Sequence, residues 1–160
     1  MLKNQLLQQA AANIQQGVQD KDAFERLMKA GTKTIYSKGT FRSLSQHLRQ
    51  SKDPVDDVAR GIVAVLGILA HRARGTIPQG PLMQAGMLLM LDALDFLEQA
   101  GLLKVNAGTL DRATEEFVEA LLPAVGLSRQ KMDQVLEQIK AVMSDPAKME
   151  AYRKSQGAQS

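Results

Sequence analysis

The feature that most constrains this chain is a long apolar segment, residues 53–101, that is interrupted by one turn rich in glycine and proline. Asp53 precedes Pro54, and two more acids follow in the next three positions, which is a common beginning of a helix. The turn covers residues 75–81, and Gly101 supplies a typical helix end. The pattern predicts a helical hairpin over residues 54–100, and a hairpin this apolar must lie at the centre of the fold.

Amphipathic helical patterns flank the hairpin on both sides. Apolar residues recur at intervals of three and four over residues 2–19, 21–36, 41–48, 110–122 and 128–143. No segment alternates as a strand would, and 160 residues are of the size of one domain. We therefore predict an all-α protein, a single helical bundle of about six to eight helices over residues 1–154. Residues 155–160 are predicted to be a disordered tail.

The residues that catalysis or metal binding requires are missing or isolated. There is no Cys, and neither His47 nor His71 has a second metal ligand three or four residues away. Asp92 and Asp95 are paired at helical spacing, but no nucleophile or base accompanies them. No glycine-rich phosphate loop is present. The sequence therefore predicts a protein that is not an enzyme and that uses no cofactor, metal or small-molecule substrate.

Neither a signal peptide nor a membrane span is expected from the sequence. Residues 1–14 contain many amides and one Lys, unlike the apolar core of a signal peptide. The longest apolar run, residues 61–70, is much shorter than the ~20 residues that span a bilayer. We expect a soluble protein.

Positive charge is concentrated in the first half of the chain. Residues 1–80 contain 12 Lys and Arg and 6 Asp and Glu, whereas residues 81–160 contain 8 and 11. Basic side chains with aromatic residues among them suit a phosphate backbone, although a solvated helix face has the same composition. The candidate contacts with nucleic acid or another anion are Lys29, Lys33, Lys38, Arg42, Arg49 and Lys52.

The first predicted helix has a polar face of Asn and Gln side chains, and its single charge is Lys3. Uncharged amides cost less to bury than charged groups, and they can form hydrogen bonds across an interface. This helix is therefore either an exposed arm or a self-association interface. A row of Met residues in the hairpin offers a second adaptable surface. The candidate interface residues are Leu6, Gln9, Asn13, Gln16, Met83, Met87 and Met90.

A stripe of small residues, Gly61, Ala64 and Gly67, would let another helix approach the hairpin closely. One interpretation places this stripe in the core of the bundle. The other interpretation is that the hairpin can leave the core and lie at an anionic membrane surface, with the flanking basic residues Arg60, Arg72 and Arg74 at the lipid headgroups.

The hairpin resembles small virion-associated proteins of tailed bacteriophages. The resemblance is carried by residues 61–69, the following turn, and residues 93–101. It implies a non-enzymatic part of the virion, ejected with the genome or placed at the portal or tail, and located in the virion or the host cytoplasm. The leading hypothesis is thus a self-associating structural or assembly protein. A nucleic-acid-binding module using residues 29–52 and a membrane-active hairpin are the alternatives.

Overall fold

The computed structural model describes residues 2–74 and 76–124, together with residues 130, 134 and 137. These parts of the chain contain no strand and form a bundle of six helices, which confirms the all-α prediction. The helices are α1 (Gln5–Gln16), α2 (Lys21–Ile35), α3 (Lys38–Gln50), α4 (Pro54–Arg72), α5 (Gln79–Gln99) and α6 (Ala107–Ala124).

The pattern predicted as a helix over residues 128–143 lies mostly outside the described residues, as does the predicted tail over residues 155–160. Within that pattern, Gln130, Gln134 and Glu137 are described, and each is helical and exposed.

Local signals in the sequence fix several helix ends. The carboxylates of Asp20 and Asp53 accept hydrogen bonds from the backbone N–H groups of Ala23 and Asp56, so both residues act as N-caps. Gly101 has a φ of 75°, and the neighbouring Leu102 N–H donates to the Leu97 carbonyl oxygen at 2.9 Å. Gly101 therefore ends α5 as predicted, because this left-handed conformation suits glycine.

The hairpin of α4 and α5 is the centre of the bundle. α5 contacts α1, α2 and α4, and α4 also contacts α2, α3 and α6. The stretch Gly80–Gln99 is long and apolar enough to cross a membrane, and 67% of its most apolar 18-residue window is buried inside the bundle. Core helices of globular proteins have the same composition, so burial in the bundle accounts for its apolar character.

Gly31 and Gly86 stand where neighbouring helices leave no room for a side chain. A Cβ atom on Gly31 would lie 2.6 Å from Leu89 Cδ1, and one on Gly86 would lie 2.6 Å from Phe117 Cζ. By contrast, Ala64 is exposed, and no described atom lies within 4 Å of a Cβ placed on Gly67. The interpretation of the small-residue stripe as core is therefore wrong for Ala64 and Gly67 in the described part of the bundle.

Candidate interaction surfaces

The exposed side of α1 is an uncharged surface, which we call the amide face. α1 contains no charged residue, and its C-terminal turn ends at Gly17. The apolar side of the helix, including Leu7 and Ile14, is buried against the bundle. The exposed side chains that form the amide face are Gln5, Gln8, Gln9, Ala12, Gln15 and Gln16.

Polar contacts fix the N-terminal end of α1 on the bundle. One carboxylate oxygen of Asp95, Oδ1, accepts hydrogen bonds from the backbone N–H groups of Lys3 at 3.1 Å and Asn4 at 3.0 Å. The Asn4 side chain donates to Glu98 Oε1 at 2.9 Å, and its own oxygen caps α1. Hydrogen bonds from Asn4 and from the backbone N–H of Val105 lower the pKa of Glu98, so this carboxylate is held in its charged form.

The C-terminal end of α1 is also held, because Gln84 Nε2 of α5 donates to the Gly17 carbonyl oxygen at 3.0 Å. α1 is thus attached to α5 at both ends, and the amide face has a fixed orientation. A partner that docks on a fixed helix restricts little additional backbone motion, which favours association.

The seven predicted interface residues are not all on the surface. Gln9 and Gln16 are exposed on the amide face, and Leu6 is half-buried at its edge. Met83 is half-buried on α5. Asn13, Met87 and Met90 are buried inside the chain's own bundle, so their side chains are not available to a partner.

The six predicted anion contacts are all exposed, and they form what we call the basic face. Residues 26–52 contain seven Lys and Arg and no Asp or Glu. Within the described part of the chain, none of the six side chains forms an ion pair. Lys29 and Lys33 lie on α2, Lys38, Arg42 and Arg49 lie on α3, and Lys52 follows α3.

An aromatic cluster borders the basic face. The rings of Tyr36 and Phe41 are stacked with centroids 5.5 Å apart, and Phe96 packs against Phe41 edge-on at the same distance. Tyr36 is 51% exposed and Phe96 is 37% exposed. Sequence analysis did not predict this cluster, because Phe96 belongs to α5 and is distant in the chain. Partial burial, and to a lesser extent the charge of Asp92, raises the pKa of Tyr36.

A narrow apolar cavity lies beneath α3, beside the aromatic cluster. Its volume is about 60 Å³, far below the ~300 Å³ of a typical small-molecule site. The cavity is therefore a small gap in the packing between α3 and the hairpin. Its apolar lining residues include Ile35, Leu44, Leu48, Val58, Ile62 and Val65.

Acidic side chains gather where α6 meets the N-terminal part of α4. Arg112 pairs with Asp53, and Arg60 Nε pairs with Asp56 Oδ1 at 3.0 Å. Asp111 and Glu119 are exposed on α6, and neither forms an ion pair in the described residues. We call Asp111 and Glu119 the acidic row.

One group of titratable and hydroxyl side chains joins the end of α3 to the beginning of α4. The His47 Nε2 atom lies 3.4 Å from Asp57 Oδ2, and the Ser51 hydroxyl donates to the same carboxylate. This group stands at the beginning of α4, where it links α3 to α4. No set of three or more His, Cys, Asp or Glu in the described chain is placed to hold a metal ion.

No known protein family matches this chain, and neither curated proteins nor solved structures include one that is similar to it. The function is therefore argued from the surfaces described above.

Proposed function

We propose that this chain is a non-enzymatic structural protein that self-associates through the amide face of α1. The observation that carries the proposal is that a helix fixed at both ends exposes a surface without any charged side chain. Solvent-exposed helices commonly carry Lys and Glu, whose charges keep copies of a protein apart. The amide face has no such repulsion.

The chemistry of the amide face suits pairing with a second copy of itself. Gln side chains carry both donors and acceptors, so two identical faces related by a twofold axis can satisfy each other. Ala12 stands in the middle of the face and leaves space for close contact between two helices. The proposed partner is therefore another α1.

The setting that we propose for this self-association is the virion of a tailed bacteriophage. The resemblance of the hairpin to small virion-associated proteins supports this setting, and a protein present in many copies would use a self-complementary face. Mass spectrometry of purified phage particles should detect peptides of this chain. Their absence from intact particles would contradict the virion setting without affecting the self-association proposal.

The amide face can be tested by adding charge to it without disturbing the helix. The variant Gln9→Lys with Gln16→Lys places two like charges on the face, and Lys has a helix propensity close to that of Gln. We expect the self-association constant to fall by about tenfold or more, since like charges at a contact cost over ~1.4 kcal/mol. Sedimentation equilibrium at micromolar concentration measures this change.

The matched control is Gln130→Lys with Gln134→Lys, which adds the same net charge at two exposed helical positions outside α1. The control should associate like the parent chain. A parent chain that is monomeric, or two variants that associate equally well, would contradict the proposal.

A further inference from the structure

The basic face and the acidic row belong to different segments of the same molecule, and neither forms an ion pair within the described residues. We propose that the acidic row of α6 in one copy docks on the basic face of α3 in a second copy, in a head-to-tail contact. The inference rests on the proposed self-association, but it uses a second surface that shares no residue with the amide face.

The basic side of the contact carries charges of one sign only. α3 carries Lys38, Arg42 and Arg49 and has no acidic residue. Helical spacing places these three residues on one stripe of α3, adjacent to the half-buried Phe41 and Leu48 that face the bundle. This surface therefore suits a negatively charged partner.

The acidic side has a matching length. Arg42 and Arg49 are separated by seven residues, which corresponds to ~10.5 Å along a helix. Asp111 and Glu119 are separated by eight residues, which corresponds to ~12 Å along α6 and a rotation of ~80° around it, so the two acids follow a ridge inclined to the helix axis. A helix that crosses α6 at the angle of this ridge can bring both arginines close to both acids, and Arg forms well-oriented hydrogen bonds with carboxylates.

The chemistry of the two surfaces makes the contact heterologous, because a basic surface of one copy meets an acidic surface of another. Both α3 and α6 reach the beginning of α4, where His47 and Ser51 contact Asp57 and Arg112 pairs with Asp53. One copy can therefore donate its acidic row to a second copy and receive the acidic row of a third. Head-to-tail contacts of this kind generate rings or filaments, and the amide face would then link them laterally.

The aromatic cluster favours a protein partner over a nucleic acid at this surface. Exposed Tyr36 and Phe96 supply apolar contact area at the edge of the basic face, as is common at protein interfaces.

The test is a charge exchange in the variant with Gln9→Lys and Gln16→Lys, in which the amide face is already blocked. One protein also carries Arg42→Glu with Arg49→Glu, and the other carries Asp111→Lys with Glu119→Lys. At low salt the blocked parent should still associate, and each exchanged protein alone should associate at least about tenfold more weakly. An equimolar mixture of the two exchanged proteins should recover association, because opposite charges meet again.

The charge control is Lys21→Glu with Lys104→Glu, which reverses two exposed positive charges outside the contact and should leave association unchanged. Circular dichroism establishes that each variant remains helical. If the protein with Arg42→Glu and Arg49→Glu unfolds, Arg42→Gln with Arg49→Gln is used in its place. Association of the blocked parent should also weaken strongly as salt rises from 50 to 500 mM.

Three results would overturn the inference. The blocked parent could be monomeric at low salt, the mixture could fail to recover association, or the control could lose association as fully as the exchanged proteins. A labelled DNA or RNA duplex that binds the blocked parent with a steep salt dependence, and not the Arg42→Glu, Arg49→Glu protein, would instead assign the basic face to nucleic acid. Failure of the amide face is visible separately, as an unchanged association constant between the parent and the blocked parent.

Discussion

α5 is apolar on most of its sides, whereas α3 is amphipathic with a long polar face, and the bundle uses the two helices in opposite ways. α5 packs against α1, α2 and α4 and also meets Phe41 of α3 and Phe117 of α6, and its Met90, Leu91, Leu94 and Leu97 are fully buried. α3 has no buried side chain among those that the structure describes. The difference follows the composition of the two helices, because a helix that is apolar on most sides must be covered by several neighbours, and an amphipathic helix needs to be covered on one side only.

The consequence for function is that the interaction surfaces belong to peripheral helices. α1 packs one of its faces against α5, and α3 packs one of its faces against α4. Each helix leaves its opposite, polar face exposed, so the chemistry of that face can vary without affecting the core. α5 supplies the anchoring groups, Asp95, Glu98 and Gln84, that hold α1 in place. α5 therefore orients the amide face of α1, although it contributes no residue to that face.

The strongest test of this comparison is a matched truncation of one leucine in each helix. Leu91→Ala on α5 should lower the free energy of unfolding by about 2–5 kcal/mol, because it removes a fully buried side chain and leaves a cavity. Leu44→Ala on α3 should cost about 1 kcal/mol, because that side chain is only half-buried. Urea unfolding measures both. Equal losses would contradict the assignment of α3 to the periphery.

A second test compares one glycine in each helix. Gly86→Ala on α5 should destabilise the fold by about 1–3 kcal/mol, because the added Cβ meets the ring of Phe117. Gly39→Ala on α3 meets no atom within 4 Å, and it should be neutral or stabilising by up to ~1 kcal/mol through helix propensity. The melting temperature should therefore fall in Gly86→Ala and stay unchanged or rise in Gly39→Ala. A stabilising Gly86→Ala would show that α5 has room to move.

The fold was predictable to the extent that local residues determine it. Asp20, Asp53 and Gly101 mark helix ends through their own backbone contacts, so their sequence signals are reliable. The close-packing glycines were not predictable. Gly67 and Gly86 both stand in apolar helices, and only the arrangement of neighbouring helices decides that Gly86 meets Phe117.

The candidate surfaces were predictable only in part for the same reason. The exposure of Gln9, Gln16 and the six basic residues follows from polar residues at helical spacing. The attachment of Lys3 and Asn4 to Asp95 joins residues more than 90 positions apart, and it leaves no periodic signal. Met87 and Met90 have the chemistry of an adaptable interface, but the bundle closes over them.

The smallest expected change in the free energy of unfolding concerns Asp92. This residue lies on the polar edge of α5, between the aromatic cluster and the N-terminal segment. Burial raises the pKa of its carboxyl group, the chain's amino terminus opposes this shift, and the charge of Asp95 adds to it. The folded state therefore binds the Asp92 proton more tightly than the unfolded state, in which the pKa is about 3.9.

The sign of the pH effect follows from this difference. As pH rises from about 4 through the raised pKa of Asp92, the folded state must release a proton that the unfolded state has already lost, so the Asp92 contribution to stability decreases. Asp92→Asn removes this contribution. The variant should gain stability relative to the parent at pH 7, and its unfolding free energy should depend less on pH between 4 and 7. Asp111→Asn, the matched loss of one exposed carboxylate, should show neither change, and urea unfolding at several pH values compares all three chains. A variant that loses stability at pH 7 would mean that the charged Asp92 is needed by its neighbours, and the polar edge of α5 would then contribute to the stability of the interior helix.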